Sequence, residues 1–279
     1  MGVGSAPPPR RSGQRPLLPR RLTAGGPGRD ESGAWQERGS YDEARTRTRL
    51  FRKDAENMTT VGFIGSGSIG STIARLAVEA GHQVVLSNSR GPRTLADTVA
   101  RLGPGASAAT SEEAAAAGDI VVVTVPVTAF PDLPAAPLVG KTVIDTCNYG
   151  PERDGHIPEL DSGSLTSSEL LLRYVPDAGL VKAFNTIYFK HLLSLARPAG
   201  AADRSYLPIA ADSAPAKAAV TDFIDSIGYG VVDAGPLADS WRQATGTPVW
   251  GSPYGPYSNE KGRPAGDDVI RAALATATR

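Results

Sequence analysis

The fold is decided by residues 59–90, which read TTVGFIGSGSIGSTIARLAVEAGHQVVLSNSR. A short run of β-branched and aromatic residues ends at Ile64 and is followed by three glycines in the spacing GxGxxG. Apolar residues then recur on one face of a helix, at Ile69, Ile73, Leu76, Ala77 and Ala80. Gly81 stands where a helix commonly ends, and residues 82–86 form a second strand pattern. The stretch therefore predicts a strand, a glycine turn, a helix and a second strand.

Each glycine of the turn has its own physical reason. Gly65 permits a tight turn, Gly67 lets a pyrophosphate approach the backbone, and Gly70 lets the helix lie against the sheet. The first N–H groups of the helix have no partner within it and attract phosphate. Because both strands and the helix agree, the pattern favours a dinucleotide site over a structural glycine-rich turn. The expected contacts are Gly65, Ser66, Gly67, Ser68, Ile69 and Gly70.

The end of the second strand indicates which dinucleotide binds. An NAD site usually places a carboxylate about 20 residues beyond the glycines, on the ribose 2′-hydroxyl. This chain instead has four polar residues there, Ser87, Asn88, Ser89 and Arg90. They suit a 2′-phosphate, which a carboxylate would repel, and the first carboxylate beyond them is Asp97. The pattern favours NADP, with Arg93 or Thr94 as a further contact, although a solvated polar turn could have the same sequence.

Charge is balanced over the whole chain but not along it. The 279 residues carry 29 Lys and Arg against 29 Asp and Glu. Residues 1–57 hold 12 basic residues against 7 acidic ones, and residues 58–279 hold 17 against 22. The larger segment therefore has no general attraction for nucleic acid. The single cysteine, Cys147, forms no internal disulfide, and no apolar run reaches the roughly 18 residues that span a bilayer, so we expect a cytoplasmic protein without a membrane partner.

Residues 1–57 differ in composition from the rest. They are rich in Pro, Gly and Arg without periodicity, which predicts a disordered basic tail. No apolar segment follows either arginine pair, so twin-arginine export is not indicated. One alternative is a basic arm that contacts nucleic acid or anionic lipid. Another follows from Met58, which directly precedes the first strand pattern: residues 1–57 are then an upstream extension that the folded enzyme does not need.

Beyond Arg90, strand and helix patterns alternate, which predicts an α/β fold with a doubly wound parallel Rossmann sheet and a small C-terminal α/β lobe. Further strand patterns fall at residues 106–109, 119–125, 142–146, 180–184, 206–210 and 230–232. Capping boxes at Thr110 and Thr166 predict two helix starts.

The pattern divides the folded part into residues 58–178, the NADP-binding domain, and residues 179–279, an acceptor-side and dimerisation lobe. The charges of residues 151–161 are typical of a solvated loop. Three residues of the second lobe are expected to pack internally or to face a subunit partner, namely Trp241, Arg242 and Trp250.

Ligands of open α/β sheets bind beyond the carboxyl ends of the strands. Three of these ends read Val125-Pro126-Val127, Cys147-Asn148-Tyr149 and Phe184-Asn185-Thr186. The first offers an apolar wall beside the nicotinamide. Asparagine both donates and accepts hydrogen bonds, which suits a carboxamide or a ring carbonyl, although a strand-end asparagine is equally typical of a plain turn. The candidates for the acceptor pocket are Asn148, Asn185 and Thr186.

No acid–base pair is recognisable in the sequence. Cys147 has no base at a familiar spacing, and three scattered histidines, His82, His156 and His191, do not indicate a metal site. His82 belongs to the opposite end of the sheet. Among strand residues, Asp145 and Lys182 are the plausible proton donors or acceptors. Hydride exchange between stacked rings needs no strong protein acid, whereas reduction of a simple ketone does.

Four segments, VGFIGSGSIG, SNSR, VTVP and VKAFNT, make residues 58–279 resemble the NADP-dependent oxidoreductases that act on the deazaflavin coenzyme F420. The resemblance implies a Rossmann domain with a small C-terminal lobe, a homodimer, and direct hydride exchange between NADPH and the deazaflavin. It also implies that Ser89 and Arg90 hold the 2′-phosphate, that Pro126 borders the nicotinamide and that the AFN segment borders the second ring. The long loop after Asn148 and the aromatic C-terminal stretch depart from the family pattern.

The sequence thus predicts an NADP-dependent oxidoreductase that passes hydride to coenzyme F420 or a flavin-like acceptor. Two alternatives stay open. One is an NADPH-dependent reductase of a small carbonyl or imine. The other is a redox sensor that binds NADP without turnover.

Overall fold

The computed structural model describes residues 58–279. The expectations for residues 1–57, a disordered basic tail and an upstream extension, lie outside the described residues.

Within the described residues, eight strands form one sheet. They are β1 (Thr60–Ile64), β2 (Gln83–Ser87), β3 (Ala106–Ala108), β4 (Ile120–Val123), β5 (Thr142–Asp145), β6 (Gly179–Lys182), β7 (Tyr206–Ala211) and β8 (Gly230–Asp233). Their order in the sheet is β3-β2-β1-β4-β5-β6-β7-β8. From β1 the chain adds strands first on one side, as β2 and β3, and then on the other side, starting with β4. Rossmann sheets bind dinucleotides at this switch in strand order, between β1 and β4. The predicted fold class is confirmed.

One pairing differs from the predicted parallel sheet. The strands from β3 to β6 are parallel to their neighbours, whereas β7 is antiparallel to β6 and β8 is again parallel to β7. The sequence could not show this reversal, because the side-chain alternation of a strand is the same in both directions.

Ten α-helices connect the strands or flank the sheet in this part of the chain. They are α1 (Ser68–Glu79), α2 (Ala96–Leu102), α3 (Ser111–Ala117), α4 (Ala135–Leu138), α5 (Pro151–Asp154), α6 (Pro158–Asp161), α7 (Ser167–Tyr174), α8 (Phe189–Ser194), α9 (Ala214–Ser226) and α10 (Asp267–Ala275). Short 3₁₀ turns lie at Pro92–Leu95, Val127–Asp132, Leu237–Gln243 and Ser252–Tyr254. Both predicted capping boxes are present, with Thr110 before α3 and Thr166 before α7.

Apolar clusters cover both faces of the sheet. In β4, Ile120 and Val122 belong to the cluster beneath α1, whereas Val121 and Val123 belong to the cluster beneath α7. Every residue of β4 is buried. This explains the unbroken apolar run of β4, since a strand covered on both faces has no solvent side.

The register of the sheet aligns the predicted site residues along one edge. Five paired residues stand at the same level across it, namely Ile64, Ser87, Val123, Asp145 and Lys182. The glycine turn, the polar corner after β2 and the three strand ends all follow this row. The sheet also continues from β5 to β6 across residue 178, and the division into two domains there stays a prediction.

Candidate functional site

The glycine turn after β1 is held by two close approaches that a side chain would prevent. Gly65 has φ +104°, and a Cβ on it would overlap the carbonyl oxygen of Thr124. A Cβ on Gly70 would lie 2.7 Å from the Cγ2 atom of Thr124. The fold itself therefore requires glycine at both positions, where β1, β4 and the first turn of α1 meet.

Gly67 has no such reason within the protein. It is exposed, its φ of −69° is open to any residue, and a Cβ built on it meets no heavy atom within 4 Å. It precedes Ser68 and Ile69, whose N–H groups belong to the first turn of α1 and lack helical partners. A bare backbone at the exposed start of a helix fits a pyrophosphate.

The polar corner after β2 separates into one buried and three accessible residues. The Ser87 hydroxyl is fully buried and donates to the carbonyl oxygen of Phe63 at 2.7 Å. Strand alternation therefore turns the Ser87 side chain inward, away from the accessible residues, and a contact of Ser87 with the cofactor stays a prediction. Ser89 and Arg90 are exposed and Asn88 is half-buried.

Asn88 shapes this corner. Its Oδ1 atom accepts a hydrogen bond from the backbone N–H of Arg90 at 3.0 Å, which closes an Asx turn. Its Nδ2 atom donates to the hydroxyl of Thr94 at 2.9 Å. The turn carries two exposed polar residues, Ser89 and Arg90, which a phosphate could reach.

The end of β4 forms an apolar rim. Pro126 is exposed, Val125 is half-buried, and Val127 is buried at the start of a 3₁₀ turn. Pro126 thus presents a ring without charge at the carboxyl edge, while Val127 packs into the core. Contacts of these residues with a nicotinamide stay a prediction.

The two predicted asparagines meet. Asn148 donates through Nδ2 to the backbone oxygen of Asn185 at 2.8 Å, and Asn185 donates through Nδ2 to Oδ1 of Asn148 at 3.1 Å. Asn185 also donates to the backbone oxygen of Gln243 at 2.7 Å. Its own Oδ1 is buried without a hydrogen-bond partner among residues 58–279. The asparagine pair therefore keeps one acceptor free.

Backbone strain lies directly before this pair. Phe184 is fully buried and has φ +62°, a left-handed conformation that costs a bulky residue roughly 1–3 kcal/mol. Its ring packs edge-on to Phe223. The backbone oxygen of Thr186 accepts from the N–H of Gly251 at 2.7 Å. Tight packing on both sides thus holds the strained turn that carries Asn185.

A buried ion pair lies below the asparagines. Lys182 is 2% exposed, and its Nζ atom lies 3.1 Å from Oδ2 of Asp145, which is fully buried. The same ammonium donates to the backbone oxygen of Cys147, and Asp145 accepts from the Cys147 N–H at 2.8 Å. Ser168 donates to Asp145 at 2.7 Å. The pair therefore holds the Cys147 backbone through both its N–H and its C=O, one residue before Asn148.

Comparisons with known proteins agree with this geometry. The family model described as NADP oxidoreductase coenzyme F420-dependent matches residues 60–149, which include the glycine turn, the polar corner and Asn148. A crystal structure of the hypothetical protein SMa0349 from Sinorhizobium meliloti is 31% identical over 70% of this chain and 94% of that one, with a TM-score of 0.61. The chain belongs to this NADP oxidoreductase family.

A second solved structure points the same way. It is a candidate F420-dependent NADP-reductase from Arthrobacter sp. FB24, 26% identical over 66% of this chain and 87% of that one, with a TM-score of 0.55. No curated protein matches the sequence significantly. The chain is thus an NADP oxidoreductase with a Rossmann fold.

In this NADP oxidoreductase, the segment after Asn148 is more ordered than a solvated loop. Residues 151–154 and 158–161 form the short helices α5 and α6. Asp154 is buried, and it accepts from the N–H of Gly150 at 3.0 Å and pairs with Arg153, which lowers the pKa of its carboxyl. The phenol of Tyr149 donates to Asp161 at 2.6 Å. Two one-turn helices thus replace the predicted loop, while most of residues 151–161 are exposed, as the prediction of a solvated segment has it.

The three histidines of the oxidoreductase do not lie together. Nδ1 of His82 accepts from the N–H of Thr59 at the opposite end of the sheet, and His156 pairs with Asp161 at the surface. Nε2 of His191 donates to the backbone oxygen of Asn259. Among residues 58–279, no three His, Cys, Asp or Glu side chains are close enough to hold a metal ion.

Sequence reasoning missed the 3₁₀ turn Leu237–Gln243 as part of the site. Gln243 is fully buried, and its backbone oxygen holds Asn185. Trp241 lies beside a cavity that Asn148 also lines, with the guanidinium of Arg242 4.6 Å from its ring centroid. No local signal marks these residues, because their position depends on contacts with segments far away in the sequence.

In the described part of the chain, every helix is too short or too polar to cross a bilayer.

Proposed function

We propose that this NADP oxidoreductase transfers hydride between NADPH and the deazaflavin coenzyme F420 or a flavin-like acceptor. The observation that carries the proposal is the carboxyl edge of the sheet. There, a turn suited to a dinucleotide and the asparagine pair lie on one edge, and the two ionisable strand residues at that edge, Asp145 and Lys182, are paired with each other. The family match and the Arthrobacter relative, named for F420 and NADP, support the same acceptor.

The cofactor half of the proposal rests on three pieces of the edge. Gly67 leaves its backbone bare at the helix start, so the turn from Gly65 to Gly70 would hold the pyrophosphate. Ser89 and Arg90 are exposed where the 2′-phosphate of NADP would lie. Pro126 would border the nicotinamide. Bound NADPH supplies the hydride, and the chain's own residues bind and orient the two reactants.

The acceptor half of the proposal rests on the hydrogen bonds that Lys182 makes within the protein. Its ammonium has three N–H groups and three partners within hydrogen-bond reach, on Asp145, Cys147 and Ser167. Asp145 in turn accepts from Lys182, Ser168 and the Cys147 N–H. Neither group is free to give a proton to a substrate. This favours transfer between two rings over reduction of a simple carbonyl or imine, which needs a proton donor.

Turnover under anaerobic conditions tests the acceptor. NADPH oxidation is followed by absorbance with coenzyme F420, FMN, a simple ketone and a cyclic imine offered separately. We expect oxidation with F420 or FMN, in which NADPH loses hydride and the acceptor gains it together with a solvent proton. Turnover with the ketone or imine alone would contradict the proposal. Tight NADPH binding without any turnover would indicate the sensor.

Arg90→Ala tests the cofactor. A charge-assisted hydrogen bond contributes about 1.5–3 kcal/mol, which is roughly 10- to 150-fold in affinity. We expect NADPH to bind weaker by that factor and NADH to be unaffected, as measured by calorimetry. Arg101→Ala is the matched control, since it removes the same charge from one exposed position on α2, outside the polar corner. An equal loss for both cofactors would assign Arg90 to the fold.

A further inference from the structure

A cavity of about 510 Å³ lies beside the asparagine pair. Asn148 and Lys182 contribute to its inner wall, and Leu160, Leu165 and Trp241 supply apolar surface. Its volume is within the range of small-molecule sites, and apolar walls with a few polar groups are typical of them. We call it the Trp241 cavity.

Ser240 gives the Trp241 cavity a polar group without a partner. The residue belongs to the cavity lining and is 3% exposed, and its buried hydroxyl has no hydrogen bond within residues 58–279. A buried hydroxyl that stays unpaired destabilises the free protein. A ligand in the cavity that reached Ser240 would pair it.

The polar groups on the cavity wall define what they can bind. Asn148 uses one Nδ2 hydrogen on the backbone of Asn185 and keeps the second. The charge of Lys182 is balanced by Asp145. The inner wall therefore offers neutral donors and no free cation, which suits a carbonyl oxygen and gives no counter-ion to a carboxylate or phosphate.

The shape of the cavity adds the second requirement. The indole of Trp241 forms part of the wall, and the guanidinium of Arg279, which also lines the cavity, lies 5.8 Å from its ring centroid. Aromatic faces stack well on planar rings, so a planar ligand would take the place of that guanidinium. The cavity lining also includes one exposed charge of each sign, on Glu152 and Arg279. A charged substituent on the ligand would therefore be accommodated beside these exposed residues and not beside Lys182, whose charge is already paired.

We propose that the Trp241 cavity binds a planar, carbonyl-bearing ring, with its flat face on Trp241 and its carbonyl oxygen accepting from Ser240 and Asn148. This rests on the proposed function, because the ring is that of the hydride acceptor. It assigns acceptor recognition to Ser240 and Trp241, which lie outside the four segments that carry the family resemblance.

Two variants of the full chain test the assignment. Ser240→Ala removes a hydroxyl that is unpaired in the free protein, so its melting temperature should stay the same or rise. Its dissociation constants for coenzyme F420 and for riboflavin, measured by calorimetry with NADP present, should rise about 10-fold. Trp241→Leu should weaken both probes at least as much. The dissociation constant for NADPH should be unchanged in both variants, which also shows that they fold.

Trp250→Leu is the matched control. It removes a half-buried tryptophan of the same lobe that does not line the Trp241 cavity, and probe binding should stay at the wild-type level. If F420 is turned over and both cavity variants keep wild-type KM values for it, the cavity assignment is overturned and the proposed function stands. If no acceptor is turned over but both cavity variants lose probe binding, the cavity stands and the proposed function fails. A lower melting temperature for Ser240→Ala with unchanged probe binding would show a structural hydroxyl and overturn the assignment.

Discussion

Replacing Gly67 by alanine should separate cofactor binding from folding. The added methyl group would point into open space, and the backbone of Gly67, at φ −69° and ψ −169°, is accessible to alanine. As the residue before α1, alanine is a poorer cap than glycine by about 0.5–1 kcal/mol. Alanine also restricts the unfolded chain more than glycine does, which stabilises the folded protein by about 0.4–1 kcal/mol. The two effects oppose each other, so stability should change by less than about 1 kcal/mol, or roughly 2–4 °C in melting temperature.

The same methyl group should weaken the cofactor strongly. It would stand where the pyrophosphate has to approach the first N–H groups of α1. Losing one charge-assisted hydrogen bond costs about 1.5–3 kcal/mol, so the dissociation constant for NADP should rise roughly 10- to 150-fold. Calorimetric titration measures the affinity, and thermal unfolding of the free protein measures the stability.

Gly65→Ala is the contrasting variant of the same turn. Its φ of +104° costs alanine about 1–2 kcal/mol, and the overlap with the Thr124 carbonyl adds about 1–3 kcal/mol. This variant should therefore lose stability as well as cofactor. The reasoning is refuted if Gly67→Ala binds NADP as tightly as the wild type, or if it melts as low as Gly65→Ala.

Further predictions concern the buried titratable groups. Lys182→Met should destabilise the protein by about 3–5 kcal/mol, because it leaves a buried charge on Asp145, and adding Asp145→Asn should restore most of that in urea unfolding. Burial lowers the pKa of His82, so the unfolded chain binds a proton first and stability should fall below about pH 6.5, by up to about 1.4 kcal/mol per pH unit. His82→Gln should flatten this slope and the exposed His156→Gln should not; the reverse would contradict the assignment. Burial raises the pKa of the Cys147 thiol, so mass spectrometry should find iodoacetamide labelling in unfolded and not in folded protein, and rapid labelling of the folded form would be inconsistent with it.

The backbone geometry of the expected cofactor side could be predicted because its signals are local. The glycines and the first turn of α1 lie within residues 65–72, and the Asx turn of Asn88 closes within two residues. Spacing alone therefore carries the geometry. The exception is Ser87, whose inward direction depends on its pairing with Ile64 and on the carbonyl of Phe63. The residue type alone does not show whether a serine side chain faces solvent or the interior.

The acceptor side depends on contacts between distant segments. Asn148 and Asn185 are 37 residues apart, and Asn185 and Gln243 are 58 apart. The two asparagines could be selected because both follow strands of one sheet, which places them at one edge. Ser240 and Gln243 lie in a 3₁₀ turn with no periodic pattern, and only contacts between distant segments bring this turn to that edge. Their role could not be read from the sequence.

This division has a functional consequence that can be measured. The turn Leu237–Gln243 holds Asn185 through a hydrogen bond. Among residues 58–279, no hydrogen bond joins this turn to the polar corner, where Asn88 bonds to Arg90 and Thr94. Sites without shared partners usually behave additively, so the effects of Arg90→Ala and Ser240→Ala should combine without coupling. In the double variant, NADPH affinity should equal that of Arg90→Ala and acceptor affinity that of Ser240→Ala, within about 0.5 kcal/mol. A larger coupling energy would mean that the two sides are not independent.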